Sequence, residues 1–134
     1  MKTAVKAPRQ DVEVRQKWRA LVEELADQVE SWAKERHWSV HRDTKKIRET
    51  KLGTYRVPYL SILAPEGQVQ FDPVARYIVG ADGRVDLMAW PSGNLMMLIR
   101  IGDSWKVETD YGKAFRGKWS QKTFERIVET LNAV

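Results

Sequence analysis

The chain has 134 residues, 43% of them apolar and 31% charged, which suits one soluble globular domain rather than a disordered chain. It has no cysteine, which excludes a disulfide framework, thiolate catalysis and cysteine-ligated zinc. Its net charge is +5 and its sequence pI about 9.6, a balance that favours acidic partners.

The charge is uneven. Residues 37–60 carry six basic and two acidic side chains, and residues 111–134 carry five and two. Residues 61–110 carry four and seven. No apolar run reaches the roughly 18 residues that a membrane span needs, and the first ten residues lack the apolar stretch of a secretory signal. The expectation is a cytoplasmic protein that does not engage a membrane.

Residues 1–10 read as a flexible basic lead-in, followed by a single α+β domain over 11–134. Asp11 is a candidate N-cap, with Glu13 in the first turn. Trp18, Leu21, Val22, Leu25, Val29 and Trp32 then recur at helical spacing, so one long amphipathic helix is predicted to Arg36. Its apolar stripe is expected on a sheet, with a partner helix as the alternative.

From Trp38 the period falls to two. Trp38 and Val40 suggest a strand, and Arg42–Lys51 is polar enough to predict a solvated hairpin or loop. Tyr55, Val57 and Tyr59 alternate, then Leu60 and Ile62 switch face. Pro58 inside this run predicts a sheet edge or bulge. Val69 and Phe71 form a short strand, stopped by Asp72-Pro73.

Arg76–Asp110 predicts four strands joined by three turns, at Asp82-Gly83, Pro91–Asn94 and Gly102-Asp103. Leu95–Ile99 is apolar without alternation, which predicts a central strand covered on both faces. Residues 111–118 read as a basic loop. Ser120 is a candidate N-cap, with Trp119 and Phe124 at the positions of a hydrophobic staple. Phe124, Ile127, Val128 and Leu131 define a short amphipathic helix. The predicted fold is α+β: a long N-terminal helix, an antiparallel meander of five to seven strands, and a short C-terminal helix, both helices on one sheet face.

No motif names a reaction, and no cofactor is implied. Three constellations can carry function. The first is a pair of basic segments, 42–51 with Arg42, Lys45, Lys46, Arg48 and Lys51, and 113–118 with Lys113, Arg116 and Lys118. Basic side chains neutralise phosphates and the neighbouring aromatics can stack on bases, so these predict a nucleic-acid interface. Solvated loops are the plainer reading.

The second is an adaptable partner-binding groove of Met88, Trp90 and Met96, with Met97 beside them. The third is Asp43 with Glu49-Thr50-Lys51. It resembles the D…E-x-K arrangement of restriction-endonuclease-like nucleases, in which two carboxylates hold Mg²⁺ and the lysine helps activate water. Only six residues separate Asp43 from Glu49, and no parallel sheet follows.

His37 and His41 have the H-x-x-x-H spacing of a zinc pair. On a strand they would stand about 13 Å apart, too far for one metal. Asp86 is expected to pair with Arg84 or Arg100. An acid–base pair of Asp86 with Glu108 or Asp110 is the alternative. Three readings follow: a small non-catalytic module that contacts another protein, a nucleic-acid-binding domain, and a Mg²⁺-dependent nuclease.

Overall fold

The structure is a computed structural model that describes residues 8–109 and 117–132. One long helix, α1 (Arg9–Glu35), is followed by strands β1 (Ser39–Glu49), β2 (Gly53–Ala64), β3 (Gly67–Ala75), β4 (Arg84–Trp90), β5 (Leu95–Ile101) and β6 (Ser104–Thr109). A two-residue strand, β7 (Gly117–Lys118), and the helix α2 (Gln121–Leu131) complete the order. Every strand pairs antiparallel with its sequence neighbour, so the sheet is an open meander in the order β1 to β7.

Both helices lie on one face of this sheet. Directly opposed residues of antiparallel strands share a face, and the rows Ile62–Val69–Ala89 and Leu60–Phe71–Leu87–Met96 are fully buried. They meet Val22, Leu25, Ala26 and Val29 of α1 and Phe124, Ile127, Val128 and Leu131 of α2 in one apolar cluster. The α1 stripe is therefore spent on this core.

Both helix ends are explained by local chemistry. Pro8, with φ near its ring-fixed value, takes the N-cap position, and Asp11 falls in the first turn instead. The predicted start at Asp11 is thus corrected to Arg9, and residues 1–7 of the predicted lead-in lie outside the described residues. At the other end His37 takes a left-handed conformation, φ 60°. Its N–H reaches the Lys34 carbonyl and that of Trp38 reaches Ala33, the pairing of a Schellman stop.

α2 begins as predicted. Ser120 accepts from the Thr123 N–H, and Trp119 packs on Phe124 at 5.9 Å between ring centroids. Trp32 and Trp38 join the same aromatic group, and Arg36 ties α1 to Glu125 and Glu129 of α2.

Three local expectations are overturned, and one alternative is decided. Residues 42–49 are not a loop but one arm of a hairpin, the body of β1 paired without interruption to β2 around the turn at 50–52. The Asp72-Pro73 stop is absent, because β3 runs on to Ala75 through a register shift between Pro73 and Ala75. Residues 76–79 are not a strand. Ile78 makes only an isolated bridge to Ala81, and Val79 is fully exposed.

Asp82-Gly83 is not a hairpin turn either. The Asp82 N–H donates to the Arg100 carbonyl, and Gly83 accepts from the Arg100 N–H, so both residues extend the β4–β5 ladder. Gly83 is required there for a different reason. A Cβ on it would lie 2.2 Å from the Trp18 ring, inside any permitted contact.

The turns at Pro91–Asn94 and Gly102-Asp103 form as predicted. β5 sits within the sheet, but only one of its faces is fully covered: Met96 and Leu98 are buried, whereas Leu95 and Met97 are half-buried.

The sheet opens between β2 and β3. Their pairing covers only Leu60–Ala64 against Gly67–Phe71, while β1 and β2 continue together for a further half-length. Burial along β2 changes parity at Val57 and Pro58, both buried, so Tyr55 and Val57 turn into the wedge that opens. Pro58 lies on the part of β2 that β3 does not reach, as the expected edge position requires.

Candidate functional site

The face of the sheet away from the helices is built by the other parity of each strand. Its rows follow from the register: Leu63–Gln68–Trp90, then His41–Ser61–Gln70–Met88–Leu95. None of these eight residues is an acid, a lysine or an arginine. Trp90 is 60% exposed and Leu63 52%, with Gln68 between them. Two strand spacings, about 10 Å, separate the two apolar side chains.

The remainder of this field is ordered by amide contacts. The Gln68 Nε2 donates to Gln70 at 3.1 Å, and the Gln70 Nε2 donates to the Tyr59 hydroxyl at 3.1 Å. Two of the carboxylates that border it, Asp72 and Asp86, are paired with cations; a third, Asp43, is exposed opposite Tyr59. Asp86 receives two bonds from Arg84, at 2.7 and 3.0 Å, which settles its expected partner. Asp72 is held by Lys45, whose ammonium also reaches the Pro73 carbonyl at 2.8 Å.

Of the predicted groove, Met88 and Trp90 belong to this face. Met96 is fully buried on the opposite face, opposite Leu87 under the helices, and cannot line the groove with them. Met97, also expected in the groove, does lie on the open face, and Leu95 joins it there. Strict alternation along β5 was the available signal, masked because every residue from 95 to 99 is apolar.

The predicted basic segment 42–51 is divided by the same alternation. Arg42 points toward α1 and is surrounded by Glu23 at 2.6 Å, Asp27 at 2.9 Å and Glu30 at 2.9 Å. Glu30 is pulled below the usual carboxylate range, by its hydrogen bond from Lys34 first and that from Arg42 second. Lys45 faces the other way, to Asp72. Lys46 and Arg48 are exposed and make no side-chain hydrogen bond or ion pair among the described residues. Lys51, at the turn, lies 3.9 Å from Asp11 and over the Tyr77 ring. In the second basic segment, Lys118 is exposed on β7; Lys113 and Arg116 lie outside the described residues.

Glu49 has a structural task. Its carboxylate accepts the backbone N–H groups of Arg76 and Tyr77, at 3.0 and 2.9 Å, and the Tyr55 hydroxyl. Tyr55 in turn accepts from the Trp18 indole at 3.1 Å. Burial, and then the adjacent Glu49 carboxylate, push the Tyr55 phenol well above its ordinary value. This network closes the wedge between β2 and β3.

The two carboxylates of the nuclease-like pattern are not paired: Glu49 is engaged on three sides, and Asp43, six residues before it, accepts from the N–H of its neighbour Thr44. Among the described residues no group of three or more His, Asp or Glu side chains has the geometry of a metal site. His37 caps α1 and His41 lies on the open face, so the two do not form a pair. Asp86 and Glu108 are separated by Met97, opposite both across β5. Among the described residues no helix is long and apolar enough to cross a membrane.

Comparison of the chain with protein-family models, with curated proteins and with solved structures finds no match.

Proposed function

We propose that the protein is a small non-catalytic binding module that receives a short apolar segment of another protein on its open sheet face. The observation that carries this reading is the exposed Trp90–Leu63 pair inside an uncharged field. Depletion of charge around an aromatic anchor, with amides alongside, is the composition of the centre of a protein–protein interface.

The size of the field selects the occupant. Eight residues fall well below the roughly 20–30 per side of a standard interface, so a peptide-like segment fits better than a second folded copy. Asp72 and Asp86 at the border are already paired with Lys45 and Arg84, and the eight residues of the field carry no acid, lysine or arginine, which favours an uncharged segment over an acidic or basic one. The ordered Gln68–Gln70–Tyr59 amides offer hydrogen bonds that set its direction.

A photoreactive phenylalanine analogue at Leu63 tests this in the native host. A crosslinked partner, identified and purified, is expected to bind the wild-type protein and to lose roughly tenfold to a hundredfold with Trp90→Ala, the range of an interface hot spot. Crosslinking only to itself, or a partner whose affinity ignores both Trp90→Ala and Leu63→Asp, overturns the reading.

A further inference from the structure

The far end of the β1–β2 hairpin carries a second surface, independent of the open face. Lys46 and Arg56 are directly opposed across the hairpin, and Arg48 sits one same-face position along, opposite Thr54. These three share the face on which Arg42, nearer the helix C-terminus, meets its carboxylates. α1 adds two arginines to the same surface. The Arg15 guanidinium donates to the Leu52 carbonyl at 3.0 Å, and Arg19 donates to the Arg56 carbonyl at 3.1 Å.

Five cations thus converge from one helix and two strands. None of them has a carboxylate in ion-pair range among the described residues; their bonds go to backbone carbonyls, to Gln16 and to Thr44. Like charges directly opposed on a sheet destabilise it. A fold that surrounds Arg42 with three acids and leaves Lys46 against Arg56 has a cationic surface that awaits an anion from outside.

The chemistry of that anion can be narrowed. Four of the five cations are arginines, whose planar fork matches phosphate oxygens. Lys46, Arg48, Arg56 and Arg19 are exposed along an open surface, which suits a polymer rather than a single enclosed ion. Same-face residues on a strand repeat every 6.6 Å or so, a step close to that of phosphates along an extended strand. Thr44, Thr54 and Gln16 supply neutral donors of the kind that position a backbone.

Around the hairpin turn, on the Glu49 side of β1, stands Tyr77, 42% exposed, with Lys51 of the turn and Arg76 over its ring at 5.7 and 5.1 Å. Glu49 fixes its backbone. A cation-flanked aromatic at the end of a basic track is a platform for an unpaired base.

We infer that this hairpin surface binds single-stranded nucleic acid: Arg15, Arg19, Lys46, Arg48 and Arg56 contact the phosphates and Tyr77 stacks a base. This differs from the basic segment read from the sequence. Arg42 and Lys45 drop out because the protein itself neutralises them; Arg15, Arg19 and Arg56 enter because the fold brings them beside Lys46.

Fluorescence anisotropy on the full chain tests it, with labelled single-stranded RNA and DNA of roughly 20 nucleotides, and the matching duplex. Affinity is expected to fall with salt with a log–log slope of about −3.5, since each of the five phosphate contacts contributes about −0.7 on a single strand. Arg48→Ala should reduce the slope by about one contact, and Lys46→Glu/Arg48→Glu/Arg56→Glu should weaken binding at least about tenfold with an unchanged circular dichroism spectrum. Tyr77→Ala should weaken the single strand about tenfold and leave the duplex unaffected.

A preference between the RNA and DNA arms identifies the natural strand. Trp90→Ala should bind as wild type, which separates this surface from the open face. Absence of binding at about 50 mM salt, equal binding by the triple variant, or a duplex bound as tightly as the single strand overturns the inference. So does retention of anionic phospholipid vesicles with the same dependence on the triple variant, which assigns the patch to a lipid surface.

Discussion

In the first half of β1, Arg42 is enclosed by Glu23, Asp27 and Glu30, and Lys45 is closed onto Asp72. In the second half, Lys46 and Arg48 stand on the same strand with Arg56 opposite Lys46 and, among the described residues, no acid in ion-pair range. The residue types are the same; the surroundings are not. Compensated cations fasten the sheet to the helix and to β3, whereas uncompensated ones are held against mutual repulsion. A run of basic residues is therefore not one feature. Alternation along the strand sends successive side chains to opposite faces, and the partner surfaces decide which stay available.

The sharpest way to break this contrast is through Glu49, the sole carboxylate of residues 44–58. It lies in the uncompensated half, yet it faces the wedge between β2 and β3 and serves Arg76, Tyr77 and Tyr55. Glu49→Ala leaves two backbone donors and a buried phenol without their acceptor. The expected loss is about 3 kcal/mol in urea unfolding, because each orphaned buried group costs about 1–3 kcal/mol and some regain water. A loss below about 1 kcal/mol would show that the wedge is not closed by this carboxylate.

The compensated half gives a smaller effect. Arg42→Ala removes the cation shared by three acids and leaves them facing one another. Exposed pairs alone are worth little, but a network on a half-buried arginine is expected to contribute about 1 kcal/mol at pH 7 and low salt. The pH dependence has a definite sign. The Glu30 carboxyl is depressed in the folded state relative to its ordinary value of 4.5, so its contribution is present above that value and fades as pH falls below it. The stability gap between wild type and Arg42→Ala should shrink below about pH 4.5, and only in part through Glu30, since Lys34 is the larger cause of its shift. A gap that is constant from pH 7 to 3 would assign the role of Arg42 to packing of its stem.

Much of this architecture was legible in the chain. The stripe from Trp18 to Trp32, the Ser120 cap with its Trp119–Phe124 staple, and the turns at Pro91–Asn94 and Gly102-Asp103 are local signals, and each formed. The failures have one physical source, contacts supplied from far away in sequence. Residues 42–49 look like a loop because only Ile47 is apolar; they form a strand because α1 brings acids to Arg42 and β2 pairs with every residue. Glu23, Asp27 and Glu30 do lie at helical spacing on one flank, a stripe that could have been matched with an arginine. Asp82-Gly83 looks like a hairpin turn, but Trp18 claims the space beside Gly83 and Arg100 claims the backbone of both residues.

Of the candidate surfaces, Trp90 was visible and the exclusion of Met96 was not, because an unbroken apolar run conceals its own alternation. The Arg15, Arg19 and Arg56 contribution was invisible for a different reason. Those residues are 37 positions apart along the chain in each helix-to-hairpin contact.

The smallest effect is also the most discriminating. Lys46→Glu places a carboxylate directly opposite Arg56 and two residues from Arg48, so it converts a repulsive cross-strand pair into an attractive one. A gain of about 0.5 kcal/mol is expected, within the 0.2–1 kcal/mol range of such pairs, and it should diminish in high salt. The same substitution in the compensated half, Lys45→Glu, should do the reverse, since it opposes Asp72 with a second negative charge. Thermal denaturation of the two variants side by side therefore reads the sign of the local field at adjacent positions of one strand. Opposite signs establish that β1 divides between Lys45 and Lys46. Equal losses would mean that an acid compensates Lys46 after all, and that the hairpin surface is not held open for an anion.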